Sequence, residues 1–298
     1  MRQFISKNKK WFGYILYCLI LTVGLLHYRF PSDAIEDYLQ ATVDRVNPRF
    51  VLSVDNISPS FTFGLKFLKT KLSFQANPDN ILFRADSILI RPTIWSFLQG
   101  KFKYCFKCLA YDGVLKGCVN FQKNSIEAPF TALIELKDIS IGDYDNLPGM
   151  IGRHIKGVLD GTIIYSGQYN VLIDGIGEAD LRISNGLVEL IRPILNFESI
   201  DFNELWIKMI LKKQKISLTH VELKGRDIHG TLSGIVSLKK EFLKSSLDLR
   251  GTIEPFADFF KGLMGTRDSI KFFKQRIKRG RLSFIIQGTL EEPTIKFI

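Results

Sequence analysis

The stretch "DIHGTLSGIVSLKK", residues 227–240, decides the fold because its apolar residues recur at every second position. From Ile228 to Leu238 the even positions are apolar, which is the period of a β-strand with one apolar face. Gly230 and Gly234 lie on the same parity, where a core side chain is expected. Glycine weakens a strand because it removes packing and adds freedom to the unfolded chain. The stretch therefore predicts a strand that lacks some of its inward side chains.

The same arrangement recurs along the chain, with glycine between two apolar residues of equal parity. In one interpretation each glycine lets a strand bend or bulge, so that the sheet curls. In another, the missing side chains leave room on the apolar side for an acyl chain or a crossing strand. Both interpretations predict a mainly β fold built on a long, strongly curved, mostly antiparallel sheet, shaped as a groove, half-barrel or taco. The six glycines are Gly117, Gly161, Gly230, Gly234, Gly251 and Gly288.

Alternation with period two continues from Phe50 to the end of the chain. Its phase shifts between Ala85 and Ile88 and again between Leu136 and Ile139, which indicates bulges. A few short helices are expected between the strands. They are a turn at "IWSFLQ", one or two helices broken at Pro193 within residues 185–213, and two pieces around Gly265 within residues 254–280.

The N-terminal region suggests a membrane anchor. The run "WFGYILYCLILTVGLLHY", residues 11–28, has no charged residue, and about 20 apolar residues span a hydrocarbon core of about 30 Å. Lysine and arginine precede it, so residues 1–10 are expected to form a cytoplasmic basic tail. A cleaved signal peptide is the alternative, but its apolar core is shorter and ends in a small-x-small site. The sequence therefore predicts a single-pass transmembrane helix followed by an exported domain.

An amphipathic connecting helix is predicted over residues 29–48. Ile35, Leu39, Val43 and Val46 recur at three- and four-residue steps after Pro31. This face either packs on the start of the β-rich domain, residues 49–298, or contacts a partner helix or a membrane surface.

The 298 residues carry a formal net charge of +11, which favours anionic partners. A basic segment near the C-terminus is either a solvated face or a contact for anionic lipid or an acidic partner. Nucleic acid is not expected, because the predicted domain is exported and carries no aromatic RNA-binding motif. The basic residues are Lys271, Lys274, Arg276, Lys278, Arg279 and Arg281.

The four cysteines do not predict redox or zinc chemistry. Cys105 and Cys108 are spaced as C-x-x-C, but the surrounding pattern is that of a strand and lacks a helix N-terminus. A zinc site would need a second pair, and only Cys118 is near. A disulfide suits an exported domain. A two-residue turn at Asp112-Gly113 sets Lys107 opposite Cys118, and a change of one residue in register would pair Cys108 with Cys118.

No catalytic motif is present. The sequence contains no H-E-x-x-H, G-x-S-x-G or G-x-x-x-x-G-K-[ST] pattern, and no carboxylate pair is evident. The protein is therefore predicted to be non-enzymatic, with no catalytic residues, cofactor or metal.

Longer segments of the chain carry a resemblance to a known family. They are "FPSDAIEDYLQATV", "SPSFTFGLKF", "ADSILIRPTIWSFLQGKFKYCFKCLAYDGVLKG", "VELKGRDIHGTLSGIVSL", "SSLDLRGTIEP" and "LSFIIQGTLEEPTIKF". Together they resemble the type II secretion system protein N family (GspN) in its δ-proteobacterial form. The G-T-x-x-x-P ending is more distantly similar to AsmA/TamB-type bridge proteins. The resemblance covers nearly the whole chain, but its motifs are soft patterns of apolar residues, glycine and proline.

The resemblance implies an accessory, non-enzymatic component of a type II secretion system. Such a protein would be held in the inner membrane, with its N-terminus in the cytoplasm and its β-rich domain in the periplasm, beside other secretion-system subunits. The wider similarity implies an alternative function, which is to transfer or shield lipid by holding phospholipid acyl chains in an apolar groove.

Overall fold

The computed structural model describes residues 9–60, 64–123, 125, 127–144, 154–194, 197–226, 228–255 and 280–298. The described part is mainly β, as the period-two alternation predicted. Its helices are α1 (Lys9–Tyr28), α2 (Ser32–Val46) and α3 (Ile94–Leu98). Its strands are β1 (Phe50–Ser53), β2 (Asn56–Ser60), β3 (Gly64–Phe74), β4 (Asn77–Pro92), β5 (Phe102–Ala110), β6 (Gly113–Phe121), β7 (Phe130–Ser140), β8 (Ile155–Gly167), β9 (Ile176–Ile194), β10 (Phe197–Lys212), β11 (Lys215–Gly225), β12 (Ile228–Ser237), β13 (Ser246–Pro255), β14 (Leu282–Thr289) and β15 (Pro293–Phe297).

All the strands belong to one antiparallel sheet. From β3 onward each strand pairs with the next along the chain, and β1 and β2 both pair with β3. The sheet is open, with β1 and β2 at one edge and β15 at the other. Because consecutive strands are antiparallel, alternate connections lie at the same end of the strands. One strand end therefore carries the β4–β5, β6–β7, β8–β9, β10–β11, β12–β13 and β14–β15 connections.

The structure corrects the helices predicted within residues 185–213, because the chain forms β9 and β10 there. Apolar residues on both faces, such as Trp206 beside Ile207, hid the period of two. Pro193 lies where the register between the two strands shifts. A residue without a backbone N–H is tolerated at such an irregularity. The helical pieces predicted within 254–280 lie almost entirely outside the described residues.

The other local predictions have mixed outcomes. The turn of helix at "IWSFLQ" is confirmed as α3. The phase shift in β7 is confirmed as a register shift between Leu136 and Ile139, where Asp138 adopts a positive φ of 54°. The β5–β6 turn is formed by Tyr111 and Asp112, with φ of 51° and 58°, and not by Asp112 and Gly113 as predicted.

The predicted transmembrane helix at residues 11–28 is corrected. In the described part of the chain, no helix is both long enough and apolar enough to cross a membrane. The helix found there, α1, begins at Lys9, and Gly, Tyr, Trp and His residues interrupt its aliphatic side chains.

The α2 helix packs on the first strands of the sheet. Its residues Ile35 and Leu39 contact a buried cluster made by Val54, Ile57 and Phe67. The amphipathic face thus covers the start of the β-rich domain.

Candidate functional site: the apolar face of the sheet

One face of the sheet is apolar from edge to edge. Residues that are direct cross-strand partners form an unbroken row over thirteen strands, which we name the central apolar row. Neighbouring strands lie about 4.8 Å apart, so its twelve steps run for roughly 58 Å along the sheet. Its members are Leu65, Ile90, Phe106, Gly117, Ile134, Ile163, Ala179, Met209, Leu218, Gly234, Leu249, Ile286 and Ile295.

The central apolar row is not a closed core. Only Leu249 is buried, and the other members are half-buried or exposed. In the described residues, strands make their main contacts with neighbours in the same sheet. The apolar face therefore offers a long surface on which apolar ligands can leave water.

Aromatic rings fill some of the glycine positions on this face. Phe106 lies directly opposite Gly117, and a Cβ on that glycine would meet its ring at 2.8 Å. Phe284 covers Gly251 in the same way from the opposite position on β14. A ring that covers a cross-strand glycine replaces the packing that the glycine lacks. These two glycines therefore do not leave free space.

Three other glycines adopt a positive-φ backbone conformation that other residues avoid. Gly161, Gly234 and Gly288 have φ of 157°, 139° and 102°, and a Cβ on each would meet neighbouring backbone atoms. Such backbone is found where strands bend or bulge. Only Gly230 among the six has room, since the nearest atom to its Cβ position lies 3.7 Å away. The solvent-accessible part of the apolar face is therefore the half-exposed surface of its side chains, and the glycines do not form cavities in it.

A third covered glycine was not predicted from sequence. Phe202 lies opposite Gly186, and its ring occupies the space of a Cβ there. The feature that would have identified this pair is an aromatic residue directly opposite a glycine on the neighbouring strand. It can be recognised only when the strand register is known.

The opposite face carries a charged network, which we call the polar face. Trp206 Nε1 donates a 2.6 Å hydrogen bond to Asp180, and this bond is the main reason why the pKa of Asp180 is lowered. Lys208 lies 3.3 Å from Asp180 and, like Arg182, stacks on the Trp206 ring. A depression of about 270 Å³ beside this group is lined partly by Asp180 and Lys208. Asp180 and Lys208 are already paired with each other.

Glu222 is the second centre of the polar face. His229 Nε2 lies 3.0 Å from one carboxylate oxygen, and His220 and Lys224 lie 3.5 Å from the other. The hydrogen bond with His229 is the largest reason why the pKa of Glu222 is lowered. The pKa of Lys224 is raised, first by its hydrogen bond to Glu204.

The structure corrects the predicted disulfide between Cys108 and Cys118. The bond joins Cys105 and Cys118, whose Cα atoms lie 4.0 Å apart. The turn at Tyr111 and Asp112 sets these two cysteines opposite each other on the polar face. Cys108 is free and buried on the apolar face, where burial, with a smaller effect of Asp86, raises its pKa to about 11.

Most of the predicted basic segment lies outside the described residues, namely Lys271, Lys274, Arg276, Lys278 and Arg279. Arg281 is described, and its guanidinium forms an ion pair with Glu254.

Neither a search for metal sites nor comparison with known proteins assigns a function to the chain. Among the residues that the structure describes, no group of three or more His, Cys, Asp or Glu side chains could hold a metal ion. Comparison with protein families, with curated proteins and with solved structures finds no match to this chain.

Proposed function

We propose that the protein is a non-enzymatic lipid-shielding or lipid-transfer protein that holds acyl chains on the apolar face of its sheet. The observation that carries this proposal is the central apolar row, which is continuous over thirteen strands and is half-buried or exposed at every position except Leu249. Each methylene group that leaves water on such a surface contributes about 0.8 kcal/mol. The row offers no charged side chain to a ligand, so the chemistry it favours is that of an alkyl chain.

The disulfide supports an oxidising compartment as the place of action. Disulfides persist in secreted and periplasmic proteins and are rare in reducing cytosol. The Cys105–Cys118 bond joins two adjacent strands in the described sheet. We therefore propose that the sheet functions outside the cytoplasm.

The test is lipid analysis of the full chain after gentle purification from membranes. Native mass spectrometry and extraction should find bound phospholipid. Ile163 and Ile164 are adjacent on β8, where Ile163 belongs to the central apolar row and Ile164 lies on the polar face, 52% exposed. Ile163→Gln should lose most of the bound lipid, whereas Ile164→Gln should keep it.

Thermal unfolding of both variants provides the folding control. Met209→Gln on the row and Ile210→Gln on the polar face form a second matched pair in β10, if Ile163→Gln does not fold. Wild-type protein without phospholipid, or equal lipid in both members of a folded pair, would rule out the proposal.

An assembly component of a type II secretion apparatus is the second candidate. The observation that favours it is the open edge at β15, since an unpaired edge strand can add a strand from another subunit. A lipid-free wild-type protein that co-purifies with secretion-system subunits would favour this function over lipid shielding.

A further inference from the structure

Three neighbouring connections form one surface at one end of the strands. They are residues 168–175 between β8 and β9, residues 213–214 between β10 and β11, and residues 238–245 between β12 and β13. The backbone N–H of Gln214 donates to the carbonyl of Ile173 at 3.1 Å, and that of Leu238 donates to the carbonyl of Gln214 at 2.7 Å. The middle connection is thus joined to both of its neighbours.

This surface carries a concentration of positive charge, which we call the lysine patch. It consists of Lys212, Lys213, Lys215, Lys239 and Lys240. All five are exposed, and none forms an ion pair with another described residue. Of the acids nearby, Glu241 pairs with Lys244, and Asp174 accepts a 2.6 Å hydrogen bond from the Gln214 side chain. Glu291 and Glu292 are exposed in the β14–β15 connection, where the Glu291 N–H donates to the Leu243 carbonyl, so they lie beyond Leu243.

Exposed apolar side chains flank the lysine patch on both sides. On one side, the turn at Tyr169–Asp174 exposes Tyr169, Val171 and Leu172. On the other, the turn at Phe242–Lys244 exposes Phe242, at 61%, and Leu243. Large apolar side chains grouped on a surface mark an interaction site.

The same strand end carries a further apolar projection. Helix α3, in the β4–β5 connection, exposes Trp95 at 72% together with Ile94 and Phe97. The apolar side chains thus belong to three separate connections spread along one end of the sheet. Such a spread suits a broad, flat partner better than a single protein pocket.

We propose that this strand end docks on the surface of an anionic lipid bilayer. The lysine patch would contact the anionic head groups, and the flanking apolar side chains would enter the interfacial region. Lysine beside exposed aromatic and aliphatic side chains is the combination that binds such surfaces. The docking surface is distinct from the apolar face and does not depend on what that face holds.

The first test is binding of the full chain to vesicles of phosphatidylcholine, with or without about 30% phosphatidylglycerol, because anionic lipid strengthens contacts of basic residues. The triple variant K213Q/K239Q/K240Q is compared with K66Q/K107Q/K116Q, which removes the same charge from exposed positions elsewhere in the sheet. Each lysine near an anionic surface contributes a factor of about five, so the patch variant should bind anionic vesicles roughly 100-fold more weakly. The control should bind as the wild type does, and salt should weaken the wild type most.

The second test locates the contact, so that binding through α1 cannot obscure it. An environment-sensitive dye is attached at L243C in a C18S background, and K137C near the opposite strand end is the matched control. The dye at position 243 alone should shift to the blue with anionic vesicles. Equal binding by the two triple variants, or no shift at position 243, would overturn the proposal. Neither test measures bound acyl chains. A protein that docks on anionic vesicles but purifies without phospholipid would therefore rule out the proposed lipid-shielding function and leave the docking surface supported.

Discussion

Two glycines on β12, four residues apart, differ in the space around them. A Cβ at Gly230 would meet only ordinary van der Waals contacts. A Cβ at Gly234 would clash with the Asp248 carbonyl oxygen, and the Gly234 backbone also has a φ of 139°, which other residues rarely adopt. Gly230→Ala should therefore stabilise the protein by about 0.4–1 kcal/mol, because it restricts the unfolded chain. Gly234→Ala should destabilise it by about 1–3 kcal/mol or more, because the backbone is strained for any other residue. Urea unfolding measures the change in the free energy of unfolding for each variant. Equal changes in the two variants would contradict this account.

At the scale of residues, sequence could show where glycine falls but not what replaces its side chain. The six apolar-parity glycines follow from the alternation alone. Whether Gly117 lies under Phe106 depends on cross-strand register, which is set by the turn at Tyr111 and Asp112. A turn placed one residue later, at Asp112-Gly113, changes every partner and puts Lys107 opposite Cys118. The assignment to Cys108 needed a further change of one residue in register, whereas the observed turn puts Cys105 there.

At the scale of elements, the cross-strand group around Glu222 links β10, β11, β12 and β13. Because the folded-state pKa of Glu222 is lowered, its contribution is present above the ordinary value of 4.5 and is lost as pH falls through the folded pKa. Glu222→Gln should lower the urea midpoint at pH 6 and flatten the loss of stability between pH 6 and pH 3. Glu178→Gln, at an exposed position of β9, is the matched control. An unchanged acid profile in Glu222→Gln would show that these contacts do not stabilise the sheet.

Element type was predictable where only one face is apolar, as in β12 and β13. It was not predictable in β9 and β10, where Trp206 and Ile210 add apolar residues to the polar face. The proposed docking surface also escaped sequence analysis. Its lysines are separated by β11 and β12 along the chain, and only the meander brings the two groups to one strand end.

At the scale of the whole molecule, the sheet is close to a one-dimensional array. Nearly every strand contacts only the strands beside it, so stability is expected to be a sum of neighbour terms. Phe202, 3% exposed in central β10, and Leu282, 4% exposed in β14 near the edge, test this arrangement. Each truncation to alanine should cost about 2–5 kcal/mol locally.

Hydrogen exchange followed by mass spectrometry separates the two consequences. Leu282→Ala should release amides of β13, β14 and β15 while β5 to β9 keep their protection, because no second layer in the described residues transmits the loss. Phe202→Ala should instead raise exchange on both sides of β10 and leave β3 to β6 and β15 less affected. A uniform rise over all strands in either variant would mean that the sheet unfolds as one cooperative body. In that case the apolar face would have to be covered in solution, and the central apolar row could not serve as an open surface for acyl chains.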